Sequence, residues 1–235
     1  MKIAIIPARG GSKRIPGKNI RPFMGAPIIG YSIAAALESG CFDRVMVSTD
    51  DPRIAETAEK LGAEEPFLRA PDLAGDMTPI KDVMRDAIRW HREQQGEVSH
   101  ICCLYATAPF LRPADIREGL ERLQAMPDAN FSISVTPFSF PIQRALKIRD
   151  GGQLAMRQPE HNLTRSQDLE QHYHDAGQFF WATDDAMMAH DTIFDSNCCP
   201  VIIPPHRAQD IDTEDDWLEA ELKYRLLNEH REPAE

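Results

Sequence analysis

Residues 6–19, "IPARGGSKRIPGKN", hold three glycines and four cations, Arg9, Lys13, Arg14 and Lys18, with Arg21 just beyond. Glycine lets backbone N–H groups come close to an anion. Arginine forks phosphate oxygens, and lysine adds a compact charge. A triphosphate would use both features together. The chain as a whole carries a net charge of −11, so this loop opposes the overall field. The competing reading is a solvated basic loop. A Walker A loop is excluded, because five residues rather than four separate Gly11 from Gly17 and Asn19 follows Lys18. The dinucleotide fingerprint G-x-G-x-x-G is absent.

Two acids, Asp210 and Asp212, stand in "QDIDTE". In an extended segment, side chains at i and i+2 share a face. Two carboxylates on one face suit Mg²⁺, a hard ion that takes carboxylate and phosphate oxygens. Acids leading into a helix and favouring its N-terminal dipole fit the same spacing. His172 and His174 in "HYH" would share a face by alternation, but no third metal ligand accompanies them.

The 235 residues suffice for one large domain, or one domain with an insertion, and 42% hydrophobic content for a core. The acidic balance argues against a nucleic-acid or anionic-membrane surface. No run approaches the length of a membrane helix, and "KIAIIPA" is too short for a signal peptide. Five cysteines, two pairs of them adjacent, suit neither a disulfide framework nor a zinc site. Reduced thiols in a cytoplasmic protein are the expectation.

"KIAIIPA" reads as a buried strand, and "APIIGYSIAAALESG" as a helix ended by Gly40. "RVMVST" is a second strand. "DPRIAETAEKLG" is a helix capped by Asp51, with Pro52 in its first turn. "PFLR" reads as a short extended piece, followed by the loop "APDLAGDM". An amphipathic helix opens at Thr78-Pro79, with Ile80, Val83, Met84, Ala87, Ile88 and His91 on one face. "HICCLY" is a strand, residues 113–126 a helix and "FSISVTP" a strand. Alternating strands and helices predict a parallel sheet covered on both faces. Residues 137–175 break the pattern and read as an inserted subdomain, so the main domain comprises 1–136 and 176–235. "AGQFFWAT" and "PVIIPP" restore strands. A last helix begins at Thr213, with Asp216 placed to answer the cap, and the final eight residues are expected to fray.

"PARGGSKRIPGKN" resembles the first motif of the cytidylyltransferases that activate sialic-acid-like sugars with CTP. "VSTDD", "RAPDLAGD", "TAPF" and "QDIDTEDD" follow in the order and spacing of that family, over roughly the whole chain. "LTRSQDLEQHYHDAGQFFW" looks like the subgroup that activates pseudaminic acid, a nonulosonic acid. The resemblance implies a three-layer Rossmann-like α/β nucleotidyltransferase fold with a mostly parallel central sheet and an inserted dimerisation subdomain. It implies that Arg9, Ser12, Lys13, Lys18 and Asn19 bind CTP, with the backbone at Gly10 and Gly11 cradling phosphate. Arg14 stands between that role and a plain surface charge. Ser48 and Thr49 would touch cytosine or ribose, Asp50 either joins them or starts the next turn, and Arg69 lies near the nucleotide with Asp76 in the same loop.

The resemblance further implies Asp210 and Asp212 as ligands of Mg²⁺. Lys18 and Asp212 are the catalytic candidates, the first to stabilise developing charge and the second to take the attacking hydroxyl's proton. For the sugar it implies Tyr105, Arg165, Gln167, His174, Asp175 and Gln178, with Arg165 the candidate for the sugar carboxylate across a homodimer. Two departures bear on the sugar. Many sialic acid members carry Gln before Pro-Thr where this chain has Tyr105-Ala106, and "NG" where it has Ala176-Gly177. The expected reaction joins CMP from CTP to the anomeric hydroxyl of a nonulosonic acid, pseudaminic acid first and N-acetylneuraminic or legionaminic acid as runners-up. A CTP-binding module without turnover is the alternative of another class.

Overall fold

The computed structural model describes residues 1–64, 68–75, 77–194 and 197–229. In chain order these form β1 (Lys2–Pro7), β2 (Pro22–Phe23), β3 (Ala26–Pro27), α1 (Ile29–Ser39), β4 (Arg44–Ser48), α2 (Pro52–Lys60), α3 (Ile80–Gln95) and β5 (His100–Leu104). Next come α4 (Pro113–Ala125), β6 (Phe131–Pro137), β7 (Leu146–Ile148), β8 (Leu154–Met156), β9 (Tyr173–Thr183), α5 (Asp184–Ala189), β10 (Cys198–Ile202) and α6 (Glu214–Glu229).

Six strands build the central sheet in the order β10-β6-β9-β5-β1-β4. Every pairing is parallel except those of β9, which runs antiparallel to both β5 and β6. Strand side chains alternate between faces, and the core divides accordingly. Ala4, Ile6, Val45, Val47, Phe179 and Trp181 pack on one face with residues of α1, α2 and α4. Ile3, Ile5, Met46, Ile101, Phe180 and Ala182 pack on the other with residues of α3 and α5. The result is the expected three-layer α/β arrangement. A third cluster, including Ile15, Phe23, Phe110, Ile211 and Trp217, joins the basic loop to α6.

Local signals set several boundaries. Asp51 caps α2 by accepting from the Arg53 N–H at 2.9 Å. Thr213 and Asp216 form the reciprocal cap at the start of α6: Thr213 N donates to Asp216 Oδ2 at 2.8 Å, and Asp216 N donates to Thr213 Oγ1 at 3.2 Å. The first helix starts later than the sequence pattern suggests, at Ile29. Ahead of it, Met24 (φ 47°) and Gly25 (φ 98°) make a two-residue turn between β2 and β3, a hairpin geometry that needs positive φ at both positions. At the other end, α6 carries Asn228 and Glu229 in helix rather than fraying there. Pro66 and Phe67 of the expected extended piece, Asp76 and the residues after 229 lie outside the described residues.

Within 137–175 the chain forms the β7–β8 hairpin and short 3-10 turns. Strand β9 begins at Tyr173 and pairs with the end of β6, Tyr173 opposite Pro137 and Asp175 opposite Val135. The sheet therefore takes in residues 173–175, which sequence polarity assigned to the insertion. Between Ile133 and Val135 the β6–β9 register shifts. The Ser134 hydroxyl fills this bulge, donating to Phe179 O at 2.8 Å and accepting from Phe179 N at 3.0 Å.

All five cysteines are free, and all but Cys198 are buried. Among the described residues no helix is long and apolar enough to cross a membrane.

Candidate active site

Because β1, β4 and β5 run parallel, their carboxyl ends open on one sheet edge, where open α/β sheets bind ligands. The basic loop follows β1 there, and Ser48, Thr49 and Asp50 follow β4. Tyr105 follows β5, its N–H donating to Gln178 O at 2.9 Å. The antiparallel β9 brings Asp175 and Gly177 to the same edge from the opposite direction, and the segment after β10 brings Asp210 and Asp212.

These elements enclose a cleft of ≈ 250 Å³ whose lining includes Arg9, Ser12, Lys13, Arg14, Lys18 and Asn19. Arg69, Tyr105 and Asp212 line it too. The loop is held from within. Asn19 Nδ2 donates to Arg9 O at 2.9 Å, and Gly17 adopts a left-handed φ of 64° where the chain turns into Lys18. Gly10 N donates to Asp50 Oδ1 at 2.9 Å. That donor is engaged inside the protein, and Asp50 becomes the group that sets the loop's height. A Cβ at Gly10 would lie 2.8 Å from the Asp51 Cβ and Oδ2, whereas one at Gly11 would meet nothing within 4 Å.

Arg69 is buried. Its Nε donates to Ser48 Oγ at 3.2 Å, and its Nη2 donates to Ser48 O. Burial lowers its pKa, opposed by the carboxylates of Asp50 and Asp86. Ser48 is thus the acceptor that orients this arginine.

Lys18 and Arg14 meet Asp212 from opposite sides. Lys18 Nζ lies 3.2 Å from Asp212 Oδ1 and donates to Ile211 O at 2.7 Å. Arg14 Nη2 lies 2.9 Å from Asp212 Oδ2. The α6 cap also fixes this residue, since Asp212 N donates to Asp216 Oδ2 at 3.1 Å. Arg21 completes the joint, its Nη1 donating to both Glu214 carboxylate oxygens at 2.6 and 2.8 Å and its guanidinium lying 4.5 Å above the Trp217 ring.

Asp210 and Asp175 form an acidic patch beside this joint. Asp210 is an exposed residue, yet partial desolvation at the cleft edge raises its pKa, and the charge of Asp212 raises it further against the pull of Lys18. Burial likewise raises Asp175, with Asp210 adding to the rise and the Gly177 N–H bond opposing it. Gly177 sits between the two at φ 64°, where an added Cβ would lie 3.7 Å from the Asp210 Cβ. Burial raises the Tyr105 phenol well above its ordinary range, with Asp175 and Asp210 contributing. Among the described residues no group of three or more His, Cys, Asp or Glu could hold a metal by itself. The donor set fits a hard cation shared with phosphate oxygens: acids close enough to repel one another, next to a basic loop.

A second cleft of ≈ 730 Å³ adjoins Asp210 and is lined by Thr136, His174, Asp175, His206 and Lys223 among others. The His174 ring packs against Phe138 at 4.7 Å. The remaining sugar candidates stand elsewhere. Arg165 and Gln167 are exposed in the insertion, where Arg165 Nε pairs with Asp168 at 2.7 Å. Gln178 is buried in the core, its Nε2 donating to Arg207 O.

Sequence reading passed over several groups of the site. Thr107 and Thr78 line the first cleft, with Ile80 and Val83 as its apolar wall. Thr107 belongs to "TAPF", which signalled a motif without singling out that residue. Arg207 anchors the segment leading to Asp210 through a buried fork to Asp115, at 2.5 and 3.1 Å. Its only sequence signal was an arginine among prolines.

The cytidylyltransferase family model matches residues 3–190. The chain belongs to the cytidylyltransferase family. It is 41% identical over 227 residues to a pseudaminic acid cytidylyltransferase of Campylobacter jejuni, covering 97% of each chain. It is 32% identical to a CMP-N,N'-diacetyllegionaminic acid synthase of Legionella pneumophila, again covering 97% of each. Among solved structures, a CMP:2-keto-3-deoxy-manno-octonic acid synthetase complexed with CTP matches with a TM-score of 0.69 at 17% identity, over 97% of this chain and 99% of that one. At that identity the likeness shows a shared fold.

Proposed function

We infer that this chain transfers CMP from CTP to the anomeric C2 hydroxyl of a nonulosonic acid, pseudaminic acid foremost, and releases pyrophosphate. The observation that carries the reading is a basic cleft bounded by Asp212 in a chain 41% identical to a pseudaminic acid cytidylyltransferase over 97% of each.

Arg9, Ser12, Lys13, Lys18 and Asn19 bind the triphosphate, while Arg69, oriented by Ser48, faces the nucleotide. Asp210 and Asp212 hold a magnesium ion, which supplies positive charge against the phosphates. The sugar hydroxyl oxygen bonds to the α-phosphorus as the bond to the β-phosphate oxygen breaks, and the hydroxyl proton passes to Asp212 or solvent. Alignment and charge stabilisation supply the rate, and no covalent enzyme intermediate is required.

Tyr105, His174 and Asp175 lie toward the sugar. Arg165 and Gln167 would reach the sugar site of a partner in a homodimer. Phe140, Ile148 and Leu163, 81%, 75% and 93% exposed in the insertion, are the apolar surface such a dimer would cover. Free thiols and a CTP substrate suit the cytoplasm.

The test is pyrophosphate release with CTP, Mg²⁺ and a panel of nonulosonic acids. Pseudaminic acid is expected to give the highest kcat/KM. Preference for N-acetylneuraminic or legionaminic acid would overturn the choice of sugar, and CTP binding without turnover on any acid would overturn the enzyme reading.

A further inference from the structure

Both carboxylate oxygens of Asp212 are taken by cations of the basic loop, and the two cations differ. Lys18 is 18% exposed and anchored by Ile211 O. Arg14 is 64% exposed. An exposed ion pair is among the weakest, and a triphosphate offers a guanidinium several more oxygens than one carboxylate does. The loop backbone is held by its own hydrogen bonds, so the part of Arg14 that can move is its long, mostly exposed side chain.

We propose that Arg14 is an exchangeable counter-ion: it neutralises Asp212 until nucleotide binds, then moves to the triphosphate and releases Asp212 Oδ2 to the cation. This deepens the proposed function and rests on it. The exchange makes binding ordered. A divalent cation alone meets an Asp212 already neutralised by two positive groups, and Asp210 beside it lacks the full carboxylate pair. Nucleotide removes one of those positive groups and adds phosphate oxygens in the same event. Arg14 is then a positioning residue, acting on the cation through Asp212, and nucleotide and cation affinities are coupled through its movement.

The test titrates Mn²⁺ into the full chain with and without CTP, no sugar present, counting free Mn²⁺ by its EPR signal. Asp212→Asn serves as the subtraction. In wild type, Asp212-dependent Mn²⁺ binding is expected to be weak alone and strengthened by CTP. In Arg14→Ala it should tighten without CTP, on the order of tenfold for removal of one adjacent charge. The strengthening by CTP should shrink, and metal-free CTP affinity should fall. Arg14→Lys should resemble wild type. If Arg14→Ala binds Mn²⁺ as wild type does while CTP-supported binding still depends on Asp212, the exchange is wrong and the proposed function stands. If CTP supports no Asp212-dependent Mn²⁺ binding in wild type, the exchange falls together with the site assignment beneath it.

Discussion

Gly10 and Gly11 are neighbours of the same residue type in the same loop, yet substitution should separate them. A methyl group on Gly10 would sit 2.8 Å from the Asp51 Cβ and 2.8 Å from its Oδ2. Asp51 cannot swing away freely, because Oδ1 accepts the Arg53 N–H that starts α2 and both oxygens fork the Arg53 guanidinium. The Arg53 hydrogen bond, ahead of the opposing effect of burial, lowers the Asp51 pKa, so the carboxylate is held charged in that pose.

Gly10→Ala then has two ways to relieve the contact. Breaking the cap costs about 1 kcal/mol, or roughly 2–4 °C of melting temperature for a chain of this size. Moving the loop stretches the bond from Gly10 N to Asp50 and displaces Arg9 and Lys13 from the cleft. A displacement approaching 1 Å lowers turnover by about a hundredfold. Gly11→Ala meets nothing within 4 Å, so its stability should stay within about 0.5 kcal/mol of wild type. Thermal melting and pyrophosphate release, run on both variants, read these effects. A Gly10→Ala protein that melts and turns over like wild type would refute the steric reasoning, as would a Gly11→Ala protein destabilised as much as its neighbour.

Asp210 and Asp175 make a pH prediction with a definite sign. Desolvation at the cleft, partial because Asp175 is only half-buried and Asp210 exposed, and then neighbouring acids hold both carboxyls above the ordinary carboxylate range. The native state therefore binds these protons more tightly than the unfolded chain. The associated stability is fully present below the unfolded pKa of about 4 and is lost as pH rises through the raised values. In a chelator at neutral pH, Asp210→Asn should melt higher than wild type and show a shallower fall across that window; a lower melting temperature would contradict it. The buried fork between Arg207 and Asp115, whose side chains are 8% and 11% exposed, predicts a large loss when only one partner is removed. Asp115→Asn should cost about 3–5 kcal/mol in urea unfolding, and the double change to Leu and Met should recover most of it. A single-variant loss below about 1 kcal/mol would remove Arg207 as the anchor of the Asp210 segment.

What the sequence made legible was local. Asp51 before Pro52, Thr213 with Asp216, and Gly40 after a helical run are signals read within a few residues, and each marks a boundary in the structure. The basic loop was legible for the same reason, since its glycines and cations are contiguous. The parts that were not legible depend on partners distant in the chain. Strand β9 looked like any restored strand, because hydrophobic alternation carries no direction. Its antiparallel course follows from the insertion, which returns the chain to the sheet edge where β6 ended. That reversal, with the bulge filled by Ser134, is what sets Asp175 and Gly177 beside Asp210. Asp50 was ambiguous between a turn and a contact because its partner, the Gly10 N–H, lies 40 residues away. Gln178 follows the glycine of that bulge in sequence, yet strand alternation points its amide into the core toward Arg207 O. The nucleotide half of the candidate site is built largely from one loop and could be read in order. The sugar candidates are scattered over β5, β9 and the insertion, so which of them meet depends on strand direction, and that is not written in the local sequence.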